Sequence, residues 1–372
     1  MDEGRIIRVG SRKSQLALIQ SNHVIGRLQR LFPGRKFELI SMSTTGDVIL
    51  DKALSKIGEK SLFTKELEVA LEEKSVDMVV HSLKDLPTLL PPNMAIASVL
   101  ERDDPRDAVV FTASCKTKKL EDLPPNSAIG TSSLRRIAQL KRKYPLFRFE
   151  NIRGNLNTRF RKLDEGNMYA AIVLAKAGLE RMEWHSRIDE VLEPSDCMYA
   201  VSQGALAVEC RSDDQEMIEM LSTLHHTGTL LRVVAERAFL RTLEGGCTVP
   251  VAVHTVFTEG DSKCELSMDG GVFSLDGFQA ITNSMQTRFT LEPVSKKMRT
   301  NGPSLFSSIV AEDVNDSALA AVETLGRQLA ETLLQNGAKP ILDEAKAEAE
   351  AELRKQKVER DLKRNEACEK AV

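Results

Sequence analysis

The stretch IIRVGSRKSQLALIQSNHVIGRLQRLFPG (6–34) decides the fold class. Ile6, Ile7, Arg8 and Val9 read as a buried strand that Gly10 and Ser11 turn. An amphipathic helix is expected from about Ser14 to Leu31, and Pro33-Gly34 ends it. Lys36 to Met42 then alternates as a strand, so the chain opens strand, helix, strand. The pattern recurs further along. Thr64 to Lys74 is expected to be helical and Asp77 to Leu83 a short apolar strand. Asp107 to Phe111 and Ser127 to Gly130 are strand-like, and Thr131-Ser132-Ser133 opens a helix to about Tyr144. Phe147 to Ile152 is a strand, Asn155 to Leu163 a helix and Tyr169 to Ala175 a fully buried strand. This alternation predicts an α/β protein with doubly wound parallel sheets covered by helices on both faces. Such sheets bind ligands at the carboxyl ends of their strands.

After about residue 226 the character changes. Thr227 to Leu243 is a strong helix, stopped by Gly245-Gly246 with Cys247 directly after. Val249 to Phe257, Cys264 to Met268 and a segment near Met285 to Leu291 look like antiparallel strands, with Asp269-Gly270 and Asp276-Gly277 as turns. Ser317 to Asn336 is a second amphipathic helix. Ser43 to Leu62 holds no element, which is expected of a mobile lid. Residues 295 to 308 read as a polar, flexible insertion, and the charged, alanine-rich run from Asp343 as a solvated helix or frayed tail.

A chain of 372 residues is long enough for two or three domains. Lys and Arg total 51 against 54 Asp and Glu, a formal charge of −3, which argues against a dedicated nucleic-acid binder. One Trp and three Tyr leave few stacking platforms for single strands. The longest apolar run, Tyr169 to Ala175, is far short of the ~20 residues of a spanning helix, so no membrane partner is expected. Asp2 and Glu3 at the start disfavour a secretory signal or transit peptide. The six cysteines form no C-x-x-C pair, so no zinc or redox motif is signalled and reduced thiols of a cytoplasmic protein are expected. His225-His226 point different ways on a helix and read as non-ligands.

Arginines cluster at the ends of elements. Arg12 follows the first strand, Arg135 and Arg136 lie in the first turn of a helix, Arg153 ends a strand, and Arg159 and Arg181 belong to later helices. Arginine opposes the helix dipole at an N-terminus unless an anion sits in front of it, and its planar fork pairs carboxylates or phosphates. One reading is therefore a polyanion site; the other is a solvated basic face from Arg135 to Lys143. His81-Ser82-Leu83-Lys84-Asp85 closes a strand with more reactive groups than a turn requires. An Asp among cations is ionised and acceptor-only, so Asp85 either stabilises a developing cation or caps the turn. Cys247 follows a Gly-Gly stop on a loop able to approach another surface; a buried, inert thiol is the alternative.

Nine segments in order carry a resemblance: RVGSRKSQLALIQ (8–20), STTGD (43–47), GEKSLFTKELE (58–68), VVHSLKDLPT (79–88), IGTSSLRRIAQL (129–140), IRGNLNTR (152–159), QGALAVE (203–209), ERAFLRTLEGGC (236–247) and VPVAVH (249–254). Together they resemble the porphobilinogen deaminases, or hydroxymethylbilane synthases, over nearly all of residues 5 to 340. The resemblance implies a transferase of tetrapyrrole and heme biosynthesis. It joins four porphobilinogen molecules head to tail with loss of ammonia, and water then releases hydroxymethylbilane. It also implies a dipyrromethane cofactor held by a thioether to Cys247, with Asp85 as the catalytic aspartate, a carboxylate that stabilises the cation left by ammonia or assists proton transfer. Ser14, Ser82, Lys84, Ser132, Arg135, Arg136, Arg159 and Gln203 fall on the cofactor-binding set, and Arg12, Arg153, Arg181 and Phe63 on the substrate-binding set. Gln203 is expected on the strand returning between domains, and Phe63 beside the lid.

The implied fold is two periplasmic-binding-protein-like, doubly wound domains and a third small α+β domain with an open antiparallel sheet. The expected boundaries are 1–102 with 202–225, 103–201, and 226–372. Porphobilinogen is the implied small-molecule partner, with no metal, no nucleic acid and a monomeric state.

Overall fold

The computed structural model describes residues 5–44, 64–115, 117–244, 249–260, 263–292, 305–348 and 350–351. Phe63, Cys247 and nearly all of the expected lid, 45–62, lie outside the described residues.

Strand β1 (Ile6–Arg12) leads into helix α1 (Gln15–Leu31), whose first turn is capped by Ser14: its Oγ accepts from the Ala17 amide at 3.4 Å. Val24, Ile25 and Leu28 bury the inner stripe of that helix. Strand β2 (Lys36–Met42), α2 (Lys65–Glu72), β3 (Met78–Ser82) and β4 (Met94–Val99) complete the first unit. The second contains β5 (Asp107–Phe111), β6 (Ala128–Gly130), α3 (Leu134–Lys143), β7 (Arg148–Glu150), α4 (Leu156–Glu165), β8 (Ala171–Ala175), α5 (Lys176–Arg181) and β9 (Glu190–Val191). The chain then returns through β10 (Leu206–Arg211) and α6 (Gln215–Ser222).

The two sheets repeat one plan. The first runs β2-β1-β3-β10-β4 and the second β7-β6-β8-β5-β9. In each, the first strand pairs in parallel with the second and third, and the fourth lies beyond an antiparallel intruder. The intruder is the strand that has just crossed from the other lobe: β5 entering the second sheet, β10 re-entering the first. The sheets are therefore mixed, not purely parallel as the alternation predicts. The chain crosses between lobes twice, and each crossing delivers a strand running against its neighbours. The molecule is α/β, two doubly wound lobes with a smaller α+β unit beside them.

That unit is built on α7 (Thr227–Thr242), the meander β11 (Val251–Thr258), β12 (Cys264–Phe273) and β13 (Ala280–Phe289), and a late helix. His226 caps α7, its Nδ1 accepting the Thr229 amide at 3.2 Å, while His225 accepts the Val99 amide at 3.1 Å. Asp276-Gly277 does turn, with Gly277 at φ 82°. Asp269-Gly270 does not: it sits inside β12, opposite His254 and Val253. The reason is packing. A Cβ on Gly270 would lie 2.7 Å from the Phe239 ring of α7, so the glycine admits the ring instead of turning the chain.

Two short strands, β14 (Leu305–Phe306) and β15 (Ile309–Val310), extend the first sheet beside β4. Residues 305–308 are thus ordered by pairing, contrary to the insertion expected there; 295–304 lie outside the described residues. The late helix, α8 (Asp316–Leu333), packs across α7. One apolar core runs from Leu67, Val79 and Leu83 through Leu230, Val234 and Phe239 to Leu325 and Leu329, so α7 is shared between the small unit and the first lobe. Among the described residues no helix is long and apolar enough to cross a membrane.

At the α7–α8 crossing a methyl on Gly326 would overlap the Ala235 carbonyl. Gly326→Ala is expected to lower stability by about 1–3 kcal/mol through overpacking. Urea unfolding checks this, and an unchanged midpoint would contradict the close crossing.

Candidate active site

The acid turn begins where β3 stops. The Leu83 amide donates to the Ala205 carbonyl at 3.0 Å, its side chain is fully buried, and the Leu86 amide closes a tight turn on the Leu83 carbonyl at 3.2 Å. With Leu83 driven inward, Asp85 is exposed and Lys84 half-buried. The Lys84 Nζ donates to Gln203 Oε1 at 3.3 Å. The other end of the Gln203 amide donates to the Pro105 carbonyl at 2.7 Å and to Asp107 Oδ1 at 2.8 Å. Gln203 is 1% exposed and stands in the turn before β10, not on the strand.

Asp107 is the hub. It opens β5, opposite Ala175 at the carboxyl end of β8. Because β5 is antiparallel, its first residue lies at the edge where its neighbours end. The Asp107 carboxylate holds Arg136 at 2.7 Å and Arg135 at 2.8 Å. Arg136 also donates to the Val173 carbonyl at 2.9 Å and Arg135 to the Met198 carbonyl at 2.6 Å. Burial alone would raise the Asp107 pKa, but the two guanidinium groups hold it well below the usual carboxylate range. The anion that the sequence demands before this helix is thus supplied in part by the chain itself. One charge faces two, and the Nε of Arg135 and of Arg136 is buried with no acceptor among the described residues.

Other cations gather round. Burial brings Lys84 down to about 8, helped by Arg136 and Arg135 and opposed by Asp85 and Asp107. Burial also lowers Arg159 to about 10, with Arg136 and Arg153 reinforcing the shift and Asp85 opposing it. Asp85 is therefore placed where its charge acts on both Lys84 and Arg159. The structure brings together Lys84, Asp85, Arg135, Arg136, Arg153, Arg159 and Gln203.

The remaining predicted residues have separate settings. Arg181 straps a crossover, donating to Asp103 Oδ2 at 2.7 Å and to the Gly204 carbonyl at 2.6 Å. Arg12 ends β1, paired in register with Met42. Three predicted hydroxyls have partners within the fold: Ser14 caps α1, Ser82 accepts from Gln20 Nε2 at 3.0 Å, and Ser132 donates to the Ile152 carbonyl at 2.7 Å. Ser133, not Ser132, caps α3.

Sequence reading missed Asp107, although a carboxylate heading the apolar strand DAVVF was a visible signal. It also missed the hinge. Arg102 grips Glu236 of α7 through two bonds of 2.6 and 3.1 Å, and Glu236 takes the Ser202 amide at 2.7 Å and the Thr255 hydroxyl at 2.8 Å. Both crossovers are thereby tied to α7, the helix whose end precedes Cys247.

Asp107→Asn keeps the shape and removes the charge. Leaving two buried cations without their carboxylate is expected to cost roughly 3–5 kcal/mol. The folded-state pKa of Asp107 is depressed, so its stabilisation is complete above the ordinary carboxylate pKa and is lost as pH falls below about 4. Unfolding at stepped pH should show a shallower acid-side loss in Asp107→Asn than in the native chain. Equal slopes would contradict the pairing.

Comparison with known proteins finds relatives along most of the chain. A family model described as porphobilinogen deaminase, dipyromethane cofactor binding domain matches residues 7–219, and one for the porphobilinogen deaminase C-terminal domain matches 230–298. The porphobilinogen deaminase of Synechococcus elongatus is 48% identical over 340 residues, 91% of this chain and 95% of the relative. That of Gloeobacter violaceus is 48% identical over 341 residues, 91% of this chain and 94% of the relative. The periplasmic VFT2 domain of Bordetella pertussis BvgS aligns at a TM-score of 0.36 and 14% identity, over 58% of this chain and 85% of that one, a likeness too slight to carry an argument. The chain belongs to the porphobilinogen deaminase family, the dipyrromethane-dependent hydroxymethylbilane synthases.

Proposed function

We propose that this chain condenses four porphobilinogen molecules, one at a time, onto dipyrromethane joined to Cys247, releasing ammonia at each addition and hydroxymethylbilane at the end. The observation that carries the reading is an exposed Asp85 carboxylate set among Lys84, Arg159 and the Arg135–Arg136 pair.

The residues fit the cofactor. Each pyrrole bears an acetate and a propionate, so the cleft has to neutralise several carboxylates. Asp107 offsets only one of two guanidinium charges, and the buried Nε of each arginine, without an acceptor among the described residues, is a donor that a ligand anion would complete. Burial lowers Lys84 to about 8 and Arg159 to about 10, so both stay cationic at neutral pH, and an arriving carboxylate offsets the burial that disfavours their charge. Dipyrromethane, when bound, supplies the carbon nucleophile to which each unit is added.

Ser14, Ser82, Lys84, Ser132, Arg135, Arg136, Arg159 and Gln203 hold and orient the cofactor in this reading, and Arg12, Arg153, Arg181 and Phe63 receive porphobilinogen. Loss of ammonia from porphobilinogen leaves a cationic methylene-pyrrolenine. Asp85, set among cations, stabilises that cation and accepts pyrrole N–H hydrogen bonds. Its exposure leaves it open to the substrate, while the buried Leu83 fixes where it stands. We carry forward the domains 1–102 with 202–225, 103–201 and 226–372, supported by their three sheets except that β14 and β15 of the last range join the first sheet, and a monomeric enzyme whose cytoplasmic location accords with free thiols at Cys115, Cys197, Cys210 and Cys264.

Cys247→Ala is expected to fold without a covalent dipyrrole; intact-mass measurement of the native variant checks this, and a retained dipyrrole mass would remove Cys247 as the anchor. Asp85→Asn should keep the dipyrrole and lose about 10²–10³-fold in kcat. Ordinary tetrapyrrole output from that variant would take Asp85 out of the mechanism.

A further inference from the structure

Arg237, on α7, is 1% exposed, a full cation in the core. Among the described residues it makes no salt bridge. Its donors go to three backbone carbonyls: Nη2 to Pro87 at 2.7 Å, Nη1 to Leu86 at 3.3 Å and Nε to Ser307 at 3.2 Å. Burial lowers its pKa to about 10, a shift that the charge of Glu209 opposes and that of Arg241 reinforces. A buried guanidinium with no carboxylate in contact is unfavourable for the fold. A methionine or leucine would fill the space at less cost, so the arrangement calls for a reason.

The reason lies in which carbonyls are held. Leu86 and Pro87 are the two residues directly after Asp85. On its amino side the acid turn is fixed by the Leu83 amide on the Ala205 carbonyl. On its carboxyl side Pro87 has no N–H with which to join a ladder; Arg237 clamps the turn there, and the Ser308 hydroxyl donates to the Thr88 carbonyl just beyond it at 3.3 Å. The third acceptor, Ser307, follows β14, so the same guanidinium also fixes the strand pair that extends the first sheet. Its neighbour Glu236 ties both crossovers to the same helix. In the sequence, Cys247 follows the end of that helix.

We propose that Arg237 is a positioning residue for the reaction: it holds the Asp85 turn at a fixed place relative to α7, and hence relative to the chain leading to Cys247. This rests on the reading of Asp85 given above. A carboxylate displaced by about 1 Å loses up to ~10²-fold in rate without losing its chemistry.

The test uses the dipyrromethane-loaded enzyme, with Arg237→Met and Arg237→Lys. Loading is counted by intact mass, and kcat and KM for porphobilinogen are measured per loaded molecule. Amide hydrogen exchange is followed in the peptide covering 83–88. Both variants are expected to exchange faster at 83–88, with kcat down roughly 10- to 100-fold and KM within about threefold. Arg237→Lys should be the milder, since an ammonium reaches fewer carbonyls. If Arg237→Met does not fold, Arg237→Lys supplies every readout. Native kcat per loaded molecule, or unchanged exchange at 83–88, overturns the proposal. Fully active Asp85→Asn alongside faster exchange in the Arg237 variants would remove the reading of Asp85 and leave the clamp standing.

Discussion

Two guanidinium groups in one helical turn cannot stay buried side by side without a counter-charge, and Asp107 is that charge. It holds Arg135 and Arg136 at 2.8 and 2.7 Å, and through Gln203 it reaches Lys84, the neighbour of Asp85. The arginines are therefore aimed before any ligand arrives. Preorganised donors stabilise charge without reorganising at the moment of reaction, which is where enzymes gain most from electrostatics. A single internal carboxylate also leaves the cluster net positive, so the site is held in shape yet remains short of anions.

Topology makes this possible. Each lobe borrows one antiparallel strand from the crossing chain, and that strand starts where its parallel neighbours end. Asp107 is the first residue of such a strand, so a carboxylate can stand at the ligand edge of the second sheet while its backbone belongs to the ladder. The same crossings bring Arg102, Asp103, Ser202 and Gln203 together. Glu236 and Arg237, adjacent on α7, attach the small unit to the hinge and to the acid turn respectively. A helix in that position gives the hinge and Asp85 one rigid reference.

Much of this was legible in the residues. Strand β2 and strand β5 fall where alternation and apolar runs place them, and α1 begins at the serine that caps it. The cationic cluster was legible because arginine at a helix start needs an anion. What escaped was long-range. No local pattern says that β5 and β10 run against their neighbours, because strand direction is set by where the chain has come from. Asp269-Gly270 looks like a turn until Phe239, thirty residues earlier in the chain, is packed over the glycine. Ser132 and Ser133 are equivalent in sequence, and only the backbone decides which one caps. Asp107 was visible but had no partner within its own segment. Arg237 lies inside a motif whose interest seemed to be its terminal cysteine.

The most direct test is a crystal structure of the dipyrromethane-loaded protein. The account predicts a cofactor carboxylate within about 3 Å of the Arg135 or Arg136 guanidinium, both arginines still on Asp107, and the thioether at Cys247. Cofactor carboxylates bound away from this pair, or arginines that abandon Asp107 to reach them, would contradict it.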